Sequence, residues 1–526
     1  MIPPSARVSL SLAPQSKDEP DLTGQSRMAW NVFVSWASQF VFIVAGFVMP
    51  RTIDHKLGQA TLGIWDFSWS MVGYFGLIQA GIGSSVNRYV AKHRARGEME
   101  AVNITVSSVT FLLCTAGLLV VGATVLLAHL LPALCGHRLG EGTRDAQVVL
   151  LVLGLSLAAQ ISLSAFTGVI TGCHRWDVHN YIKAGWHAVT VAVMILLLYL
   201  GLGIRSLAVA SLAGLVLADG HRILWARALC PGMRIGLGFV RTSMMRDAFH
   251  FGIKTLAPRI GDLLLNQTSS VLVASFLGPA ALALYSRPKS LVQHTNMLVS
   301  KLAFVLTPTA SALHSTESKE ELKRLFISST RYAAYISLPL TIGLSIMGGP
   351  LLLLWMGPDY VNETLIALVA VGSFAACTLM PAMSILAGLN VHGRPGAMHL
   401  LAAVCSVLLV VLVLGPLKMG VEGVALGVGL PLTIVYAGYV TTYGCRRLGI
   451  SRMEFLWGAF GKPLLCVIPL TVSLVFFRVR LAAQPLEALC AGSALGGASL
   501  ILLYWRYVLP PRIRHRVFGY LGVRRA

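Results

Sequence analysis

Carboxylates are what this chain has least of: 21 Asp and Glu stand against 42 Lys and Arg in 526 residues. Charged residues of both signs reach only 12%, too thin a polar surface for a soluble chain of this length. Paired cysteines are missing as well. The nine run from Cys114 to Cys490 with no Cys-x-x-Cys spacing, which argues against a thiolate metal knuckle or a redox pair and for small apolar packing residues. There is no Gly-x-x-x-x-Gly-Lys-Ser/Thr, His-Glu-x-x-His or Gly-x-Ser-x-Gly, so the common signatures of nucleotide hydrolysis, zinc proteolysis and serine hydrolysis do not apply. A cleavable leader is not in evidence either. The first apolar stretch begins near Met28, behind a polar segment holding Lys17, Asp18, Glu19 and Asp21, and reads as a retained span.

What the chain has is hydrocarbon. Apolar residues make up 56% and the mean hydropathy is +0.73, the profile of a polytopic membrane protein. Stretches of about 20 residues, long enough to cross a bilayer as helices, recur about fourteen times between Met28 and Arg506. If the N-terminus is cytoplasmic and the spans alternate, thirty of the 42 Lys and Arg lie inside, eight outside and four within spans. That excess is the positive-inside signature, and it accounts for the net charge of +21 without a nucleic-acid partner. Both termini are then expected in the cytoplasm. The longest outer loop, from about Leu131 to Ala146, is short for the catalytic loops that membrane enzymes of glycan assembly carry.

An internal repeat organises the spans. Leu57-Gly58-Gln59-Ala60-Thr61-Leu62-Gly63-Ile64-Trp65 aligns with Leu277-Gly278-Pro279-Ala280-Ala281-Leu282-Ala283-Leu284-Tyr285, with four identities and a shared aromatic. The same offset sets Gln39 opposite Arg259 and Asp66 next to the match of Arg287. Gly203 to Ala208 likewise resembles Gly420 to Ala425. The expected architecture is all-α: a six-helix lobe at 28–226, a cytoplasmic linker at 227–250 and a second six-helix lobe at 251–445. The lobes are parallel copies related by a pseudo-twofold axis along the membrane normal. Two further helices at 446–506 follow, with a disordered leader at 1–27 and a basic tail at 507–526 for the headgroup region.

Charge inside the apolar spans marks the candidate site. In the seventh span Thr255, Arg259, Asp262, Asn266 and Ser269 share a helix face; in the eighth, Arg287, His294 and Lys301 form one stripe beside Lys289, Gln293, Asn296 and Ser300. Each basic residue deep in a lone membrane helix costs about 2.5 to 3.5 kcal/mol, so four of them point to a water-filled, cationic cavity. Such a cavity suits an anionic cargo, a pyrophosphate-linked headgroup or an acidic sugar, which Arg and Lys can desolvate and hold. The candidate substrate-binding residues are Arg259, Arg287, Lys289, Lys301, Asn266, Gln39 and Gln293; Asp262 and Asp66 are candidate ion-coupling acids. Structural readings stand beside these: an Arg259–Asp262 ion pair, snorkelling of Arg287 and Lys289, an interfacial cap at Asp66 and interhelical hydrogen bonds from the amides.

Leu57-Gly58 with Trp65, Gly81-x-Gly83, Arg88-Tyr89-Val90-Ala91, a basic loop with Gly97, and Leu277-Gly278 with Tyr285 together resemble the Wzx-type O-antigen and polysaccharide flippases. That family is grouped with the MATE multidrug exporters and the lipid II flippase. The resemblance implies a fourteen-helix, V-shaped, alternating-access carrier of undecaprenyl-pyrophosphate-linked oligosaccharide in the bacterial inner membrane. It also implies a proton or sodium gradient and no cofactor, with glycan polymerase machinery as a further partner. A MATE-like drug or metabolite antiporter and a membrane enzyme of glycan assembly are the alternatives.

Overall fold

A computed structural model describes residues 28–79, 82–253 and 256–508, all helix and connection with no strand among them. The expected leader and most of the basic tail, with Thr255 and Gly81, lie outside the described residues. The first half runs α1 (Met28–Leu57), α2 (Gln59–Gly73), α3 (Ile82–Ala95), α4 (Met99–Leu139), α5 (Thr143–Gly172), α6 (Trp176–Tyr199) and α7 (Gly203–Leu229). A connection containing α8 (Thr242–Ile253) leads to α9 (Leu256–Leu263), which passes through a π turn, Leu264–Thr268, into α10 (Ser269–Leu277). Then come α11 (Pro279–Phe304), α12 (Leu306–Ser315), α13 (Lys319–Trp355), α14 (Glu363–Thr378), α15 (Met380–Gly388), α16 (Gly393–Leu414) and α17 (Gly420–Thr433). A second π turn, Ile434–Val440, joins α17 to α18 (Thr441–Leu448), a third, Trp457–Gly461, joins α19 (Arg452–Leu456) to α20 (Lys462–Arg480), and α21 (Pro485–Tyr507) is the last described helix.

Twelve helical stretches among the described residues are long and apolar enough to cross a membrane. One of them, Met99–Gly172, contains both α4 and α5, while the second expected span is divided among shorter helices and is not among the twelve. The outer loop expected from Leu131 to Ala146 is almost all helix: α4 continues to Leu139 and only Gly140–Gly142 separates it from α5. At 41 residues α4 is about 60 Å long, twice the hydrocarbon thickness, so it projects from the bilayer.

The repeat is visible in backbone geometry. Gly58 and Gly278 both cap their helices in a conformation that only glycine adopts freely, φ 83° and ψ 164° against φ 91° and ψ 171°. Each turns the chain from one long helix into the next. Gly203 and Gly420, the second matched pair, also open helices.

Packing divides the molecule unequally along its length. Where α1 ends and α2 begins, both halves contribute to one apolar cluster that includes Ile53, Leu62, Phe67, Val273, Leu282, Tyr285 and Trp355. At the other end there are two clusters, one drawn only from the first half (Val86, Val90, Val102, Phe166) and one only from the second (Ala310, Phe326, Ala382, Phe455). A shared core at one end and separate cores at the other is the packing of a V. In lipid, where no hydrophobic drive holds helices together, the shared end depends on close approach. Gly63 supplies it: a Cβ there would lie 1.8 Å from the Pro279 carbonyl oxygen.

Candidate functional site

The joined end is fastened by polar groups of the two halves. Arg287 on α11, 4% exposed, forms an ion pair with Asp66 on α2. The Tyr360 hydroxyl donates to Asp54 at 2.6 Å, the Trp355 indole donates to the Phe47 carbonyl at 2.7 Å, and Arg51 donates to the Trp355 carbonyl. Arg287 therefore does not snorkel. Its charge is matched by a repeat-related acid, because burying a guanidinium without a partner is far costlier than burying a pair.

Lys289 is turned against α9 and α10. Its ammonium donates to the Asn266 carbonyl and to the hydroxyls of Ser270 (3.0 Å) and Ser269 (3.4 Å). Asn266 lies inside the π turn, where one residue too many per turn leaves carbonyls without their usual helical partners. The Asn266 carbonyl accepts from this ammonium and from the Ser270 hydroxyl at 3.0 Å. Gln293 donates to the Asn266 side-chain oxygen at 3.3 Å, so three expected site residues form one cluster between the seventh and eighth spans.

The remaining expected residues have different settings. Arg259 is exposed, and the expected pair with Asp262 is not formed; Asp262 instead lies 3.2 Å from His399 on α16. Lys301 is exposed near the open end of α11, and its charge is felt by Lys183 on α6, in the other half. Gln39 is half-buried on α1.

A chamber of about 520 Å³ lies within the first half, between α1, α2, α5, α6 and α7. Aromatic rings of Phe42, Trp65, Trp69 and Trp186 line it, with Gln160, Ser156, Thr190 and Ser211 as neutral polar groups and Lys183, His187 and Arg222 as basic ones. Lys183 sits 4.7 Å above the Phe42 ring, which stacks on His187 at 4.2 Å. Arg222 is paired with Asp219, 1% exposed, yet its Nε and the second Asp219 oxygen have no partner among the described residues. Rings offer stacking faces, amides and hydroxyls pair with other hydroxyls, and the cations hold an anion.

Lys183 and Arg222 do not stand out in the sequence, because both lie towards span ends and pass for interfacial charges. The signal that finds them is spacing: His179, Lys183 and His187 follow at steps of four and share one face of α6, and Asp219 with Arg222 is an i, i+3 pair on α7.

Residues 86–364 match a family model described as polysaccharide biosynthesis protein. The chain is 24% identical over 452 residues to the uncharacterized membrane protein EpsK of Bacillus subtilis (strain 168), covering 83% of this chain and 87% of that one. Among solved structures it is similar to the lipid II flippase MurJ in an inward closed conformation, with a TM-score of 0.67 and 12% identity over 91% of this chain and 100% of that one. It is also similar to an inward-facing multidrug resistance MATE family transporter, with a TM-score of 0.64 and 14% identity over 78% of this chain and 94% of that one. At those identities the structures establish the fold alone.

Proposed function

The chain belongs to the polysaccharide biosynthesis protein family, and from that premise we propose that it is a flippase. Its cargo would be an undecaprenyl-pyrophosphate-linked oligosaccharide, moved across the bacterial inner membrane by alternating access. One observation carries the reading: the halves share a core at one end and keep separate cores at the other, with Lys183 and Arg222 lining a chamber in the first half and Lys301 exposed on the second. With the N-terminus inside, the joined end is the outer one and the hollow opens to the cytoplasm, where lipid-linked sugars are assembled.

In this reading Lys183, Arg222, Lys301 and Arg259 attract the pyrophosphate or acidic sugar, while Gln39, Gln160 and the chamber rings receive uncharged sugar faces. Arg287 with Asp66 holds the closed state across the two halves, and loss of that pairing accompanies its opening. The fold resemblance to MurJ supports a lipid-linked cargo, and a chamber lined by Lys183, His187 and Arg222, with no carboxylate among its lining residues, argues against an organic-cation exporter.

The test uses cells lacking the native gene. Wild-type protein restores surface polysaccharide, and the double variant Lys183→Ala with Lys301→Ala is expected to lose it at an unchanged protein level. Undiminished glycan in that variant overturns the proposal. Accumulated lipid-linked precursor of unaltered mass separates a failure of transport from a failure of chemical conversion.

A further inference from the structure

The last two spans meet the second half along α13, and the character of that seam changes with depth. Through the middle of the bilayer it is apolar, with Leu338 and Met347 of α13 against Val467, Leu470 and Leu474 of α20. Nearer the cytoplasm it becomes aromatic and basic. The rings of Tyr335 and Tyr504 meet edge to face with centroids 4.9 Å apart, and the Tyr504 hydroxyl donates to the Tyr335 carbonyl at 2.6 Å. One turn before Tyr335, Arg331 donates through Nε to the Gly458 carbonyl in the third π turn. Tyr332 and Trp457, the neighbours of these two residues in sequence, are exposed. Lys462 follows Gly458 by four residues on the same side of its helix, and Cys466, four further on, interacts electrostatically with Tyr335. Lys462 therefore lies beside the Arg331 and Tyr335 turn of α13, and it too is exposed.

Helix length fixes the level of this group in the membrane. Counting from Trp355 at the joined end, the hydrocarbon takes up about 20 residues of α13 and ends near Tyr335. Arg331 then stands in the headgroup layer of the opposite face, which is the inner leaflet if the N-terminus is inside. The other two helices agree. The 19 residues of α20 from Arg480 back to Lys462 span about 28 Å, and Tyr504 lies in the last turn of α21.

The two cations have no anion of their own. Among the described residues the terminal nitrogens of Arg331 make no hydrogen bond, and Lys462 has neither a hydrogen bond nor an ion pair. The nearest acids along these helices lie towards the cytoplasm. Glu320, paired with Lys323, and Glu321 sit about 15 Å before Arg331 on α13, and Glu454 is two turns before Lys462. At its other end α20 behaves differently, because Arg478 there is paired with Glu363 of α14. A guanidinium held through Nε presents its remaining edge as a fork for the oxygens of a phosphate, and an ammonium beside it adds a second positive charge. Basic pockets between membrane helices on the cytoplasmic side suit anionic headgroups, and exposed Trp and Tyr suit the layer just beneath them.

We propose that Arg331 and Lys462, flanked by Tyr332 and Trp457, bind the phosphodiester headgroup of an anionic glycerophospholipid from the inner leaflet. Its acyl chains lie along Leu465, Ile468 and Val472, an exposed apolar stripe that begins one turn beyond Lys462. Bound there, the lipid bridges the second half and the two added helices at the level where their apolar seam gives out. The site is remote from the aromatic chamber, which lies wholly in the first half, and it does not rest on the flippase reading.

The experiment is native mass spectrometry of the full-length protein released from detergent and titrated with phosphatidylglycerol, with phosphatidylcholine as the zwitterionic control. Wild type is expected to show a saturable phosphatidylglycerol site that phosphatidylcholine fills less well. Lys462→Gln and Arg331→Gln should each weaken it about fivefold. Because Lys462 bonds to nothing in the protein, its variant reports on the site even where loss of Arg331 loosens the seam. Phosphatidylglycerol binding unchanged in both variants overturns the proposal, as does equal affinity for phosphatidylcholine. Displacement of the lipid by inorganic phosphate would make this a free-phosphate site, and loss on Lys183→Ala in place of these two would put the lipid in the chamber; either result also overturns it.

Discussion

Arg287 and Asp66 pose the sharpest question at the scale of single residues, because the sequence alignment that made them neighbours in the repeat also made them partners in space. Removing one member leaves the other buried and unmatched, which costs about 3 to 5 kcal/mol. Asp66→Asn should therefore lower the melting temperature in detergent sharply. Replacing both, as Asp66→Leu with Arg287→Met, should recover most of that loss, since apolar pairs of similar volume are often as stable as the ion pair they replace. A double variant no more stable than Asp66→Asn would show that the two charges are not matched against each other. A second prediction rests on Gly63, whose absent side chain lets α2 lie on the start of α11. Gly63→Leu should prevent the halves from closing at that end. The Trp355 indole would then lose its bond to Phe47 and become open to quenching by a water-soluble quencher. Quenching equal to wild type would show that the contact is dispensable.

Elements were legible in the sequence to the extent that their cause was local. Gly58 and Gly278 announce a chain reversal that only glycine takes without strain, and the structure gives both the same backbone angles. The apolar stretches marked out the helices for the same reason, since in hydrocarbon a chain must satisfy its backbone internally. The π turn in the seventh span had no such local mark. Leu264 to Thr268 is as good an α-helical sequence as its neighbours, and the Asn266 carbonyl there is taken by the Ser270 hydroxyl together with the ammonium of a lysine 23 positions away. Periodicity placed Lys289 on a polar stripe but had no way of choosing between a cargo and a neighbouring helix. The same limit hid Lys183 and Arg222, because a charge near the end of a span looks alike whether it points to headgroups or turns inward to a chamber. Lys289→Met should therefore loosen the seventh span more than it affects the eighth. Hydrogen–deuterium exchange is expected to rise in peptides covering Leu264–Leu277 and to stay level in those covering the start of α11. Equal change in both would mean that the ammonium does not support the π turn.

Across the whole molecule the same contacts acquire a mechanical meaning. A V in which one end shares its core and the other does not can exchange ends only by trading contacts, and at the joined end these are a shared apolar cluster and a set of specific polar links. Asp54 with Tyr360, Phe47 with Trp355 and Asp66 with Arg287 each link the first half to the second. Together with the shared apolar cluster they form the junction that must part if the two ends alternate. Fixing it should stop the cycle without harming the fold. In a background where the exposed Cys114, Cys405 and Cys490 are replaced, cysteines introduced at Asp54 and Tyr360 can be joined by a short bismaleimide. The joined protein is expected to keep its melting temperature while surface glycan export ceases, and the unreacted double variant should retain export. Export that continues after complete cross-linking would mean that this end never opens, and a carrier working by alternation of its two ends would no longer be tenable.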